Sequence, residues 1–368
     1  MNKHLRRNVR RVDGSGLMAL VCLTLSIGAS TILTAQDSVK TSVSGFVDVY
    51  YNYCFLNRPP VLTDRSFTTQ PLRQNEFNLN LGMIDVKYPG NTVRGRFALQ
   101  TGTYVGSNYA AEPPLLKNVL EASVGTRLGP GVWVDLGIFP SHIGFEGIVS
   151  KDNWNYSRSL LADYSPYYES GLSVSASLSD WLSVRGLLLN GWQNIAETNS
   201  DKALGTQLQY TPSSSFLFNW STFVGNEQPD SVASRVRVFN DFYSVISLSS
   251  NWNLAIVFDI GLQKNPIHDS YDAWHTASLM TQWKISDVWK AAGRLEYYFD
   301  RTGIIIPTGT LHNFQTVGAS LNIDYAPSSI LTWRLEARSL SSKDAIFPTV
   351  DGANSTHGFL VLSAAISL

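Results

Sequence analysis

The hydrophobic pattern of this chain repeats every second residue rather than every third or fourth. In WVDLGIF, which starts at Trp133, the residues Val134, Leu136 and Ile138 alternate with Asp135 and Gly137. In GLSVSASLSD, which ends at Asp180, Leu172, Val174, Ala176 and Leu178 alternate with serines. A period of two puts one set on each face of a strand. The polar face is too small and hydroxylic to pack a core. The expected sheet is therefore apolar on one side and wet on the other, which suits the wall of a transmembrane barrel.

Between these two strands lies Pro140 to Tyr168, far longer than the usual connection of about 4–6 residues. It carries Phe145, Trp154, Tyr156, Tyr164, Tyr167 and Tyr168. Disordered segments are poor in aromatics, so an ordered loop is expected, folded into or over the mouth of a pore.

Alternating segments recur along the rest of the chain in pairs. Tight connections fall at Pro89-Gly90-Asn91, Gly129-Pro130-Gly131, Ser179-Asp180, Pro212 to Ser215, Ser249-Ser250-Asn251, Ser286-Asp287 and Pro327 to Ser329. Longer polar loops separate successive pairs. Short turns on one rim and long loops on the other are typical of outer-membrane barrels, with the turns periplasmic. The expected fold is all-β: a transmembrane antiparallel up-and-down barrel of about 16 strands, or 14 if one hairpin is miscounted. No helix-period segment stands out.

Parity assigns the faces. Val93, Phe97 and Leu99 are expected to face lipid, with Arg94, Arg96 and Gln100 inward. Leu295 and Leu335 face out, while Arg294, Glu296, Arg334, Glu336 and Arg338 face in. The opposite register would put arginines in hydrocarbon at a cost of roughly 2–4 kcal/mol each. Parity fails at Ile84, which predicts a bulge or an interface position, and it places Val257 on the same face as Asp259. The last residues, HGFLVLSAAISL, supply a closing strand.

Composition sharpens this picture. Charged residues are 15 % and aromatics 12 %, and the mean hydropathy is -0.05. Those values exclude a bundle of membrane helices and suit hydrophobicity spread over alternate positions. A net charge of -1 gives no reason to expect nucleic acid. Residues 1–35 form an expected cleaved signal peptide, with Lys3, Arg6, Arg7, Arg10 and Arg11 before the apolar run LMALVCLTLSIGASTILTA. The barrel would then occupy 36–368. Cys22 falls in the leader, which leaves Cys54 as the single thiol of the mature chain.

Several stretches resemble the OmpL-like β-barrel porins of Bacteroidetes-type bacteria. They are GFVDVYYNYCF from Gly45, NEFNLNL from Asn75, VRGRFALQTGTY from Val93, NYAAEPPLLKNVLEASVG from Asn108 and GIFPSHIGFEGIVSKDNW from Gly137, followed by SPYYESG and LLLNGWQ. The resemblance covers about the first half of the mature chain. It implies an outer-membrane porin and carries no solute and no catalytic residue with it.

The expected pore lining is Arg94, Arg96, Asp135, Arg185, Arg294, Glu296, Arg334, Glu336 and Arg338, where opposed charges order water and select solutes. Such groups also simply solvate a wet wall. The near balance of sign argues against strong ion selectivity. In the long loop, Glu146, Lys151, Asp152, Arg158 and Asp163 are candidates for a constriction, with Trp154 and the Tyr164–Tyr168 group as anchors. By count this is the third external loop, which narrows many trimeric sixteen-stranded porins, so a homotrimer is compatible with the analogy.

No metal or cofactor is expected, since His142 and Glu146 offer only two ligands. No nucleophile–base–orienter set is legible, so no catalytic residue is expected. The expected partners are outer-membrane lipid and small hydrophilic solutes. The alternatives are an adhesin or assembly scaffold without an open pore and, further off, an outer-membrane hydrolase.

Overall fold

The computed structural model describes residues 39–60 and 64–368. The leader expected at residues 1–35, with Cys22, lies outside the described residues.

Alternation builds the strands β1 (Ser42–Leu56), β2 (Phe77–Tyr88), β3 (Val93–Thr101), β4 (Val119–Gly129), β5 (Val132–Pro140), β6 (Tyr168–Ser179), β7 (Leu182–Leu189) and β8 (Ala203–Ser213). They continue with β9 (Phe216–Asn226), β10 (Val236–Ser249), β11 (Trp252–Lys264), β12 (Tyr271–Lys284), β13 (Trp289–Asp300), β14 (Phe314–Tyr325) and β15 (Leu331–Ser342). The short pair β16 (Phe347–Thr349) and β17 (Gly352–Asn354) makes a hairpin within the last long loop, and β18 (Thr356–Ser367) ends the sheet.

Among the described residues, sixteen strands close into one antiparallel barrel, the upper figure that the sequence allowed. Closure runs through β1 and β18, where Phe46 faces Ser367 and Tyr53 faces Leu360. The amide of Gly45 also donates to the carbonyl of Leu368 at 3.0 Å. Among the described residues the barrel has no unpaired edge, which the bilayer requires because lipid offers no hydrogen bonds.

Inward and outward faces alternate as side-chain exposure. Val93, Phe97, Leu99, Leu295, Leu321 and Leu335 are exposed on the outer wall, while Arg294, Arg334 and Arg338 are buried on the inner one. Trp181, Trp252, Trp283, Trp289, Tyr325 and Trp333 are exposed near the tight-turn rim. Trp289 packs on Tyr325 at 4.6 Å and Trp181 on Tyr210 at 5.6 Å. This is the amphipathic belt of a membrane interface.

The parity failure at Ile84 has a visible cause. The register between β1 and β2 shifts between Asp48 and Val49, whose partners are Leu81 and Leu79, so Asn80 is bulged. The extra residue turns Ile84 outward and Asp85 inward. Two short helices escape the alternation altogether, α1 (Thr103–Asn108) and α2 (Leu160–Asp163), both in long loops.

Candidate functional site

The third long loop, between β5 and β6, lies inside the barrel and is bonded to wall residues of β1, β9 and β13–β15. On β1, Asp48 accepts from Ser150 Oγ at 2.7 Å. On β14, Ser320 Oγ accepts from Asn155 Nδ2 at 3.0 Å, and Asn322 Oδ1 accepts from the amide of Tyr156 at 3.2 Å. On β9, the carbonyl of Thr222 meets His142 Nε2 at 2.8 Å, and Ser221 Oγ donates to the carbonyl of His142 at 2.7 Å.

The densest grip is on Ser157 and its neighbours. Glu336 accepts from the Ser157 amide at 2.5 Å and from its hydroxyl at 2.7 Å. Glu296 accepts from the amide of Leu160 at 2.6 Å. Arg294 donates to the Ser157 carbonyl at 2.6 Å, and Arg338 Nη1 reaches the Ser157 hydroxyl at 3.3 Å. Arg334 donates to the carbonyls of Asn153, at 2.7 Å, and of Ser150 and Trp154. Acids hold loop amides and arginines hold loop carbonyls. The charges also offset one another, with Arg338 to Glu296 at 2.7 Å, Arg334 to Asp324 at 2.7 Å and Arg294 to Glu146 at 3.3 Å. Buried ions require such pairing.

Apolar sockets complete the fit. Leu161 packs with Ala255, Val257 and Met280, and Phe145 and Trp154 pack beside that cluster. Val257 therefore shares the inner face with Asp259 because the loop, not water, covers it. Towards the long-loop rim, Leu187, Leu189, Phe223, Phe239, Trp274, Tyr298 and Leu340 also face inward and pack with Ile143 and Leu160. The loop aromatics are embedded in the same way. Tyr168 stacks on Tyr109 at 4.0 Å, and Tyr164 meets Tyr298 at 5.8 Å.

The structure divides the expected pore lining in two. Arg94, Arg96, Asp135 and Arg185 border a cavity of about 510 Å³ that reaches the turn at Pro89-Gly90. A second cavity of about 300 Å³ shares Arg96, Glu121, Pro140 and Ser141 with it and is roofed by Ile143 to Val149. Arg294, Glu296, Arg334, Glu336 and Arg338 also point inward, but they lie under the loop, at most 5 % exposed. Arg294, Arg334, Glu296 and Glu336 bond the loop backbone, whereas Arg338 meets the Ser157 hydroxyl and Glu296.

The candidate constriction residues divide similarly. Lys151 and Asp152 are exposed, whereas Glu146, Arg158 and Asp163 are buried. Arg158 meets no wall acid among the described residues. It donates to the carbonyls of Gly147 and Ile148 and sits between Tyr104, at 4.2 Å, and Tyr167, at 4.3 Å.

Burial governs the titration of the loop. It pushes the Glu146 carboxyl above its usual range, against the pull of Arg294 and of the Ser159 bonds. Burial raises Asp163 likewise, opposed by Arg158 and Thr69. At His142, burial alone would lower the imidazole. The Glu169 carboxylate, 2.8 Å from Nδ1, outweighs it and lifts the ring above its ordinary 6.5.

Other long loops fold inward as well, which the alternation pattern does not reveal. Gln70 donates to the carbonyl of Tyr156 at 3.0 Å, and Thr69 Oγ1 to Asp163 at 2.5 Å. Glu112 accepts from the amides of Ile195 and Ala196, and Asp300 from those of Ile304, Ile305 and Ile306. The one available signal was large apolar residues at inward parity, as at Leu187, Leu189 and Trp274.

Solved structures share this architecture at identities that speak for fold alone. An anion-selective porin from Comamonas acidovorans aligns over 90 % of this chain and 100 % of its own, with a TM-score of 0.60 and 10 % identity. The outer membrane channel DcaP of Acinetobacter baumannii gives 0.59 and 11 %, over 92 % and 100 %. Salmonella typhi OmpF, solved with daunomycin, gives 0.57 and 13 %, over the same shares. No curated protein matches the sequence. A family model does match, and it spans residues 40–368, essentially the whole barrel. The chain therefore belongs to the outer-membrane porin family described as "Putative beta-barrel porin-2, OmpL-like".

Proposed function

We propose that this porin passes small hydrophilic solutes by passive diffusion, with Pro140–Tyr168 as its constriction. The observation that carries the reading is the loop's position. It is clamped to β1, β9 and β13–β15, while charged cavities stay unfilled along β2–β7. Solutes would follow that side of the lumen, past Arg94, Arg96, Asp135 and Arg185, with Lys151 and Asp152 exposed on the loop. The family and its folds suggest a channel that carries out no catalysis. Deleting Gly147 to Ser159 should raise single-channel conductance in planar bilayers while the barrel still assembles. Unchanged conductance in an assembled deletion would reduce the loop to a packing element.

A second reading is favoured by the apolar packing around Phe223, Phe239 and Trp274 at the long-loop rim. The barrel would then be closed and act as an adhesin or scaffold. A reconstituted wild-type protein that never conducts would select it.

Export by a leader over residues 1–35 belongs to the same proposal, as does assembly into a homotrimer. A trimeric form is known for the fold neighbour OmpT of Vibrio cholerae. Self-association is supported by a polar row on the lipid-facing wall. Thr206 and Thr222 share a hydrogen bond of 2.7 Å, and next to them Asn240 accepts from Trp220 Nε1 at 3.1 Å. Polar groups in hydrocarbon seek partners across an interface. Asn240→Leu should lower the oligomer fraction seen by mass photometry in detergent, and an unchanged distribution would remove this wall from the interface.

A further inference from the structure

The cavity that opens at the Pro89-Gly90 turn is lined by three arginines, and they are not equivalent. Arg94 is held in a fork by Asp135, at 2.6 and 2.5 Å. Arg96 is held by Asp85 at 2.9 Å and by Glu121 at 2.5 Å. Arg185, on β7, has no carboxylate within ion-pair distance among the described residues. Its Nε donates to Ser173 Oγ at 2.6 Å, and its guanidinium carbon lies 5.0 Å from the centre of the Phe139 ring. Both Nη groups are left without a protein acceptor, and the side chain is only half-buried, so they meet the cavity.

The acids that could have neutralised Arg185 are committed elsewhere. Asp135 is taken by Arg94. Glu169 is taken by His142 Nδ1, at 2.8 and 3.0 Å, and by Ser141 Oγ at 3.1 Å. One edge of the guanidinium is thus fixed by Ser173 and one face by Phe139, while the free fork is presented to water. A planar fork of this kind matches a carboxylate or phosphate in two parallel hydrogen bonds. The Phe139 ring displaces water from that face and so lowers the local dielectric, which strengthens the field of the unpaired charge.

We propose that Arg185 is an oxyanion subsite on the solute path, selecting small carboxylates and phosphates. It rests on the reading of this barrel as a diffusion pore. It also departs from the expectation of weak selectivity, which came from counting charges without their pairing.

The test compares wild type with Arg185→Gln and Arg185→Lys in planar bilayers. With a potassium chloride gradient, the wild-type reversal potential should favour anions, and inorganic phosphate should shorten open events. Arg185→Gln should weaken phosphate block roughly tenfold, the scale of one lost charge-assisted hydrogen bond. Arg185→Lys should keep the reversal potential and lose most of the block, because the charge remains and the fork does not. Equal block in wild type and Arg185→Gln overturns the subsite. Should wild type fail to conduct, the pore reading fails by itself. The subsite is then decided in detergent, where ³¹P line broadening of inorganic phosphate by wild type but not by Arg185→Gln supports it, and equal broadening or none refutes it.

Discussion

Arg294 reaches from the wall of β13 to Ser157 in the infolded loop, with Nη1 2.6 Å from the Ser157 carbonyl and Nη2 3.0 Å from its hydroxyl. The same guanidinium lies 3.3 Å from Glu146, 3.5 Å from Glu296 and 3.6 Å from Glu336. One cation therefore joins the loop to the wall and offsets three buried carboxylates.

Arg294→Ala leaves those carboxylates facing one another in the dry space under the loop. Removing one partner of a buried ion network costs about 3–5 kcal/mol, and here release of the loop relieves that cost. The variant should assemble with normal heat-modifiable mobility and show larger, noisier single-channel currents. Wild-type currents in a folded variant would mean that the neighbouring contacts hold the loop without Arg294.

Leu161 tests the apolar half of the attachment. It is 2 % exposed, in a socket of Ala255, Val257 and Met280. Leu161→Ala should cost about 2–5 kcal/mol of seating, the usual range for a large-to-small change in a packed site. Limited proteolysis within 141–167 should speed up while cleavage elsewhere stays constant. Equal cleavage of variant and wild type would show that the socket contributes nothing to seating.

Seating should depend on pH with one sign. Burial raises Glu146 and Asp163, and Glu169 raises His142, so the seated loop binds more protons than a released one. Groups raised in the seated state stabilise it at low pH, and that contribution is lost as pH rises through their shifted values. For His142 the loss begins above its ordinary 6.5. The Trp154 contribution to fluorescence, taken as the difference between wild type and Trp154→Phe because the chain holds ten tryptophans, should move towards its solvent-exposed spectrum in mild alkali and return on reacidification. A spectrum that is flat from mild acid to mild alkali would separate seating from these three groups.

Gly137 tests the wall beneath the loop. Its φ is +132°, and an added Cβ would lie 2.1 Å from the carbonyl oxygen of Ala122 on β4. Gly137→Ala must move the β4–β5 pair apart, with strain of about 1–3 kcal/mol. The urea midpoint should fall and the folded fraction after refolding should decrease. An unaltered midpoint would mean that the strands shift freely here.

The sequence by itself determined the barrel. Period-two alternation separates lipid-facing Phe97, Leu295 and Leu335 from inward Arg94, Arg294 and Arg334, and the bilayer enforces that division because a misplaced arginine is so costly. The spacing of tight turns and long loops set the strand number, and the parity slip at Ile84 marked the bulge now seen at Asn80. Tertiary structure alone decided what each inward residue meets. Parity says that Arg185 and Arg338 both point inward, and it does not say that one borders a cavity while the other lies under Ser157. That difference depends on contacts between residues more than a hundred positions apart, such as Ser157 with Glu336 and Ser150 with Asp48. Local propensity carries no information about such pairs, because they form only when the closed wall offers its buried charges and apolar sockets to a loop long enough to reach them.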